Sequence, residues 1–461
     1  MNTTFKAKFF GPKTFYKEVI AIALPVMLQM LIQNLVSLVD NFMVAGLGDI
    51  KMSGVNIAGQ MAFVYMVLIN TICSSGGIFM SQFFGAEDKK GMKQALIFKI
   101  LLGIIGIGLF MFGCLVIPEQ LLSLMVHNNK DATEILFYGT QYIKIMAFMG
   151  LPFAIANILA SSLREIGIVK PPLIIAVSAT LVNTFLDWVL IYGRFGLPAL
   201  EVKGAAIATI IATSLQMIAF IIYINIKKPP FIISITDFLH IDFKLFFKML
   251  KKSLMVLFSE LLWVISETVT TALYNSRGGA DVVSGMASSF AIANLFFVAF
   301  GGITTATGVI LGKTLGQGKY DEARTKKNWL LTSAIIFGVG MTFFGFLTSL
   351  LIPLVFGNLS HASQLICRNM VWGMSIFMPV WVYVNTQFAV SRAGGDTLMG
   401  MVVDGTTTLL LIIPGMFIMT IFTPLGPVAM YMLVKCVDFI KITLAQIWLS
   451  KEKWIKNLTT N

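Results

Sequence analysis

The amino-acid sequence predicts an all-α integral membrane protein of twelve transmembrane helices, arranged as two parallel six-helix repeats about a central cleft. Three observations carry the prediction. The 461-residue chain is 57% hydrophobic and only 12% charged, with a mean hydropathy of +0.85; a soluble chain of this length exposes far more charge. Twelve apolar runs reach the ~20 residues that cross a bilayer as a helix. Residues of the first half recur in the second at offsets of 228 to 231.

The elements follow in order. The first run, 16–46, comes after a polar, basic stretch and is too long for the core of a cleavable signal. It contains Pro25, which lacks a backbone donor and so bends or weakens a helix, and Asp40. Runs 54–83, 95–117 and 135–161 follow. Run 168–192 holds Asn183 and Asp187, and run 204–226 holds Thr209. Residues 227–249 are lysine-rich and read as a cytoplasmic, amphipathic linker. The second half contains runs 250–276 (with Glu260 and Glu267), 283–312, 328–355, 366–391, 397–422 (with Asp404) and 425–449 (with Asp438 and Lys441). The division is therefore 1–226, a first lobe; 227–249, a linker; and 250–461, a second lobe. Long continuous runs exclude an outer-membrane barrel, whose strands alternate over ~10 residues.

Charge sets the topology. With the N-terminus inside, inner segments carry 24 of the 34 basic residues and outer segments six. That bias places both termini of the multi-pass protein in the cytoplasm. Spread over seven segments, the basic residues do not form a nucleic-acid surface. Cys73, Cys114, Cys367 and Cys436 are scattered, with no metal-binding spacing and no implied disulfide. His127, His240 and His361 fall in loops, so no histidine cluster is expected.

The repeat is explicit. Gly77 to Gly85 matches Gly308 to Gly316, and Gly54 pairs with Gly285, both at an offset of 231; Asn157 and Arg164 pair with Asn385 and Arg392 at 228. Six spans per half give both halves the same orientation. The symmetry axis then lies along the membrane normal, and rocking the lobes about a central site gives alternating access.

Charges inside the spans are the most informative residues. Each is costly in hydrocarbon and marks an ion or substrate route unless it is paired. Counting helix rise, Asp40, Asp187 and Thr209 lie about 9 Å below the outer surface. Asn183, one turn from Asp187, shares its face. Two carboxylates, an amide and a hydroxyl at one level suit H⁺ or Na⁺. In the second half, Glu260, Asp404 and Lys441 lie about 12 Å from the inner surface, with Glu267 two turns above Glu260. Asp438 and Lys441, three apart, neutralise each other. That group reads equally as a transport site or as an ion-pair network holding the lobe. Abundant Met and Phe suit a promiscuous surface for organic cations.

At these residues the chain resembles the multidrug and toxic compound extrusion transporters. The resemblance covers nearly the whole length. Its motifs are Leu38-Val39-Asp40-Asn41 with Val44-Ala45-Gly46-Leu47-Gly48-Asp49, Ser81-Gln82-Phe83-Phe84-Gly85-Ala86, Asn183 with Asp187, Gly204 to Thr209, Ser259-Glu260-Leu261-Leu262-Trp263, Gly312-Lys313 with Gly316-Gln317-Gly318, and Arg392 to Thr397. The resemblance implies two lobes forming a V-shaped cleft and export of small organic cations in exchange for H⁺ or Na⁺. It assigns the coupling ion to Asp40, with Asn183, Asp187 and Thr209 as partners. Pro25 matches the proline where the first helix bends, and Glu260 an acid of one branch. A carboxylate of that branch's tenth helix is missing, since 366–391 holds no Asp or Glu.

The expectation is a secondary antiporter, not an enzyme, working as a monomer in the bilayer without a cofactor other than its coupling ion. The rival reading is a flippase for a lipid-linked sugar. Such a protein needs a cationic cleft, whereas intramembrane acids here outnumber intramembrane lysines.

Overall fold

The computed structural model describes residues 8–124, 131–357 and 359–460. His127, Lys6 and Lys130 lie outside the described residues. Eleven helices among those described are long and apolar enough to cross a membrane. They are α1 (Lys13–Ala45), α2 (Asp49–Gly85), α3 (Lys89–Leu115), α4 (Ala132–Glu165), α5 (Lys170–Tyr192), α6 (Glu201–Lys227), α7 (Phe243–Asn275), α8 (Ala280–Gly316), α9 (Tyr320–Val355), α10 (His361–Ala393) and α11 (Leu398–Phe422). The twelfth, α12, is divided into Pro427–Lys435 and Val437–Ser450. At the division, Cys436 N–H donates to Leu433 O and Phe439 N–H to Cys436 O, both at 3.2 Å. These three-residue bonds tighten the turn without ending the span.

Local chemistry explains several boundaries. Asp88 caps α3, its side chain accepting from Gly91 N–H at 3.0 Å. Ser360 caps α10 by accepting from Ser363 N–H at 3.2 Å, and such caps satisfy orphan donors of the first turn. His361 consequently opens α10 instead of lying in a loop. Helix α1 runs unbroken through Pro25. Helix α11 widens to a five-residue π turn, Thr408–Ile412, just before Pro414. Proline removes a donor and crowds the carbonyl four residues back, which accounts for the wider turn.

The duplication is visible in packing. A Cβ on Gly54 would lie 3.0 Å from Ile135 O, and one on Gly285 2.9 Å from Ile366 Cβ. Both members of each contact are displaced by 231 residues. At the far ends of α2 and α8 the relation becomes reciprocal. A Cβ on Gly85 would overlap the Lys313 carbonyl, and one on Gly316 the Gln82 carbonyl. Each helix offers the other the same surface, as in an isologous contact. Glycine is required there because the backbones touch.

Contacts divide the chain into two compact units. One comprises Met1–Met27, Ser81–Glu87 and Leu250–Asn461; the other comprises Leu28–Met80 and Asp88–Met249. The first boundary falls two residues beyond Pro25. In the second unit, the segment after α6 is fastened to α3. Lys93 Nζ lies 2.9 Å from Asp237 Oδ2. Gln94 donates to His240 O at 2.8 Å and accepts from Asp242 N–H at 3.0 Å. Helix α7 begins at Phe243, seven residues ahead of the predicted run.

Candidate ion-coupling site

Asp40 and Asp187 each stand five residues before the end of their helices, α1 and α5. Five residues rise about 7.5 Å, so the two acids share a level. Thr209, eight residues into α6, is about 12 Å from its start and so somewhat deeper. Asp40 Oδ1 accepts from Thr184 Oγ1 at 3.0 Å. Thr184 is three residues before Asp187, on the same face of α5. Asp187 is 3% exposed, and neither its Oδ1 nor the Nδ2 of Asn183 has a hydrogen-bond partner among the described residues. The two carboxylates lie within mutual electrostatic reach, and Tyr142 of α4 lies within reach of both. Thr209 donates to Ala205 O of its own helix at 3.0 Å, so its hydroxyl proton is engaged and only its lone pairs remain to be offered. One turn towards the helix ends, Val44, Ile191 and Ala205 form an apolar layer with Met43, Leu47, Met52 and Val55 around them.

Asp40 and Asp187 have no Lys or Arg partner among the described residues. The acids of the second half are in the opposite situation. Glu260 pairs with Arg392 at 3.1 Å and Glu267 with Lys435 at 3.1 Å. Lys441 lies 2.7 Å from Asp404 and 3.5 Å from Asp438. Its nearer partner is thus Asp404 on α11 and not the Asp438 of its own helix that sequence spacing favours. Asp438 Oδ2 also accepts from Trp381 Nε1 at 2.8 Å. Lys435 is held over the rings of Tyr431 and Trp381 at 5.2 and 5.8 Å. The tightened turn at Cys436 separates Lys435 from Asp438, so the pairing and the helix discontinuity occupy one place.

A further cluster was not nominated from sequence. Lys99 of α3 is wholly buried and paired with Glu165 at the end of α4. Its Nζ also donates to Ser161 Oγ at 3.3 Å and Ser162 Oγ at 3.2 Å. Gly76 and Gly77 of α2 make room for it. A Cβ on Gly76 would lie 2.7 Å from Lys99 Cε, and one on Gly77 would overlap the Glu165 carboxylate. The signal was the lysine itself, inside an apolar run. Its partner, Glu165, lies four residues beyond the fourth apolar run, 135–161.

A membrane bundle written as two six-helix repeats, with one buried and one half-buried acid that have no counter-cation among the described residues, is the architecture of a multi-span transporter. The chain belongs to the MatE family, whose model matches residues 25–189 and 256–424, once in each repeat. It is 23% identical to a probable multidrug resistance protein NorM of Thermotoga maritima over 452 residues, covering 95% of this chain and 93% of the relative. It is 28% identical to the multidrug export protein MepA of Staphylococcus saprophyticus over 221 residues, covering 47% of this chain and 46% of the relative. Among solved structures, a MOP superfamily transporter from Pyrococcus furiosus, described as having a binding pocket of reversed polarity, shares the fold. That similarity has a TM-score of 0.85 and 18% identity, with 97% of each chain covered.

Proposed function

We propose that this protein is a secondary antiporter that exports small organic cations in exchange for H⁺ or Na⁺, with coupling at Asp40 and Asp187. One contrast carries the reading. Asp187 is buried with an unpartnered oxygen, and neither it nor Asp40 has a basic partner among the described residues, whereas the second-half acids Glu260, Glu267, Asp404 and Asp438 each have one. A charge left in a low-dielectric site without a counter-charge is expensive, and what relieves it is an exchangeable positive species. Proton, Na⁺ and a cationic cargo all meet that description, and only one charge state is favourable at a time. Binding of one then weakens binding of the other by the same factor. Thr184 and the lone pairs of Thr209 supply the neutral oxygens that Na⁺ favours. The second-half acids, already neutralised, are assigned to holding α7, α10, α11 and α12 together. Names of the relatives, multidrug resistance and multidrug export proteins, agree with a drug-like cargo. We further infer that both termini are cytoplasmic, from the positive-inside bias, and that the protein acts as a monomer in a bacterial cytoplasmic membrane.

The test is efflux from proteoliposomes with ΔpH and ΔNa⁺ imposed separately. Asp40→Asn and Asp187→Asn should insert normally and lose ion-driven efflux of an organic cation. Undiminished efflux by either variant would falsify the coupling assignment. Translocation of a lipid-linked sugar with no cation efflux would establish the flippase reading instead.

A further inference from the structure

Helix α7 is 33 residues long, about 50 Å, although a hydrocarbon core of ~30 Å needs only ~20 residues. From Lys251 to its end at Asn275 the helix already rises about 36 Å. Residues 243–250 therefore stand in the headgroup layer on the lysine-rich side. At about 100° per residue, the exposed Phe243, Phe247, Leu254, Phe258, Leu261 and Ile265 fall on one stripe about 60° wide. The lipid-facing stripe of the span thus continues past the hydrocarbon boundary, with Phe243 65% and Phe247 62% exposed. Lys244, Lys248 and Lys251, all exposed, make an adjoining stripe of similar width.

The opposite side of this turn is fixed. Phe246 packs edge-on against Phe98 with ring centroids 5.2 Å apart, and Met249 is buried. The preceding segment is fastened through Lys93, Gln94, Asp237 and Asp242. The exposed side cannot roll inwards. Six lysines lie between 227 and 252 against two acids, Asp237 and Asp242. Asp237 is taken by Lys93, and Asp242 caps the helix by accepting from Leu245 N–H at 3.0 Å.

We propose that this surface is a binding site for anionic glycerophospholipid headgroups. Phe243 and Phe247 enter the boundary between headgroups and acyl chains, and Lys244 and Lys251 face the phosphates. Aromatic rings and lysines at one depth suit the two halves of such a lipid. The proposal is independent of which ion drives transport.

The test is native mass spectrometry of the delipidated full chain titrated with phosphatidylglycerol, with phosphatidylcholine of the same acyl chains, and with inorganic phosphate. Phosphatidylglycerol should bind more tightly than phosphatidylcholine, and 0.5 M salt should remove the difference, since exposed charges are then screened. Lys244→Gln/Lys251→Gln should lose phosphatidylglycerol affinity by about fivefold per lysine without changing phosphatidylcholine. Lys244→Arg/Lys251→Arg should keep it. Phe243→Ser/Phe247→Ser should weaken both lipids equally. Equal binding of the two lipids, an unaffected Gln variant, or displacement of the lipid by inorganic phosphate would each overturn the assignment. Should the Gln variant misfold, the salt dependence and the Arg variant decide the matter alone.

Discussion

The wholly buried Lys99 makes a sharp prediction. Replacing Glu165 by Gln keeps the shape and removes the counter-charge. The ammonium then has only Ser161 and Ser162, at 3.3 and 3.2 Å, worth about 1 kcal/mol each as hydrogen bonds. Breaking a buried pair from one side costs about 3–5 kcal/mol, and the two serines place Glu165→Gln near the lower end. The reverse change, Lys99→Met, leaves a carboxylate whose side chain is 14% exposed and reaches water, so its cost is smaller, about 2 kcal/mol. Lys99→Met/Glu165→Gln leaves neither charge stranded and should cost about 2 kcal/mol or less. The expected coupling is thus about 3 kcal/mol, and the order of single-mutant losses follows exposure. Reversible unfolding in mixed micelles of rising sodium dodecyl sulfate fraction gives all four values. Additive single-mutant losses, or a larger loss from Lys99→Met than from Glu165→Gln, would refute the reasoning.

Other expectations are equally direct. Gly85→Ala and Gly316→Ala each drive a methyl group into a facing carbonyl and should destabilise by about 1–3 kcal/mol, similarly for both; a change tolerated at one and severe at the other in thermal melting would contradict the reciprocal contact. Glu260→Gln removes a pair about one-third exposed, so melting should shift by less than about 1 kcal/mol and ion-driven efflux should persist; lost coupling at normal expression would move the second-half acids into the mechanism. Lys93 first, and then the Ser234 N–H, hold the Asp237 carboxyl below the usual carboxylate range. Its contribution is therefore fully present above the unfolded value of ~3.9 and is lost as pH falls through the lower folded value. A nitroxide at the exposed Leu239 should stay equally immobile from pH 8 to pH 5 and loosen only below about pH 4; loosening at pH 6 would show that Asp237 is not what fastens the segment.

Position along each helix was legible in the chain; rotational phase was not. Counting from the ends of apolar runs places Asp40 and Asp187 at one level, and each stands five residues before the end of its helix. The count does not say which neighbour a side chain faces. Asn183 looks like the natural companion of Asp187, yet Thr184, one residue on, bridges to Asp40. Tyr142 gives no sequence signal because a tyrosine in an apolar helix resembles any other aromatic. Lys435 and Glu267 are far apart in sequence, and only the packing of α7 against α12 joins them. The turn at Cys436 contains neither glycine nor proline, the residues that usually announce a break. Glu165 stands four residues past the apolar run, where the helix continues but the hydropathy signal has ended.

The mutual fit of the ends of α2 and α8 carries a historical implication. When two copies of one gene product meet about a dyad, every residue there is counted twice, and a harmful change is doubly harmful. Fusion into one chain releases that constraint. Ser81 now lies against Gly312, positions that began as the same residue. Gln82 has come to clasp Ala393 O at 2.7 Å and to accept from Leu458 N–H at 2.7 Å, pinning the chain's last segment. Its counterpart, Lys313, instead lies 5.9 Å from the centre of the Phe84 ring. Covalent joining thus let one copy keep acids with no basic partner among the described residues while its sibling covered its own with cations.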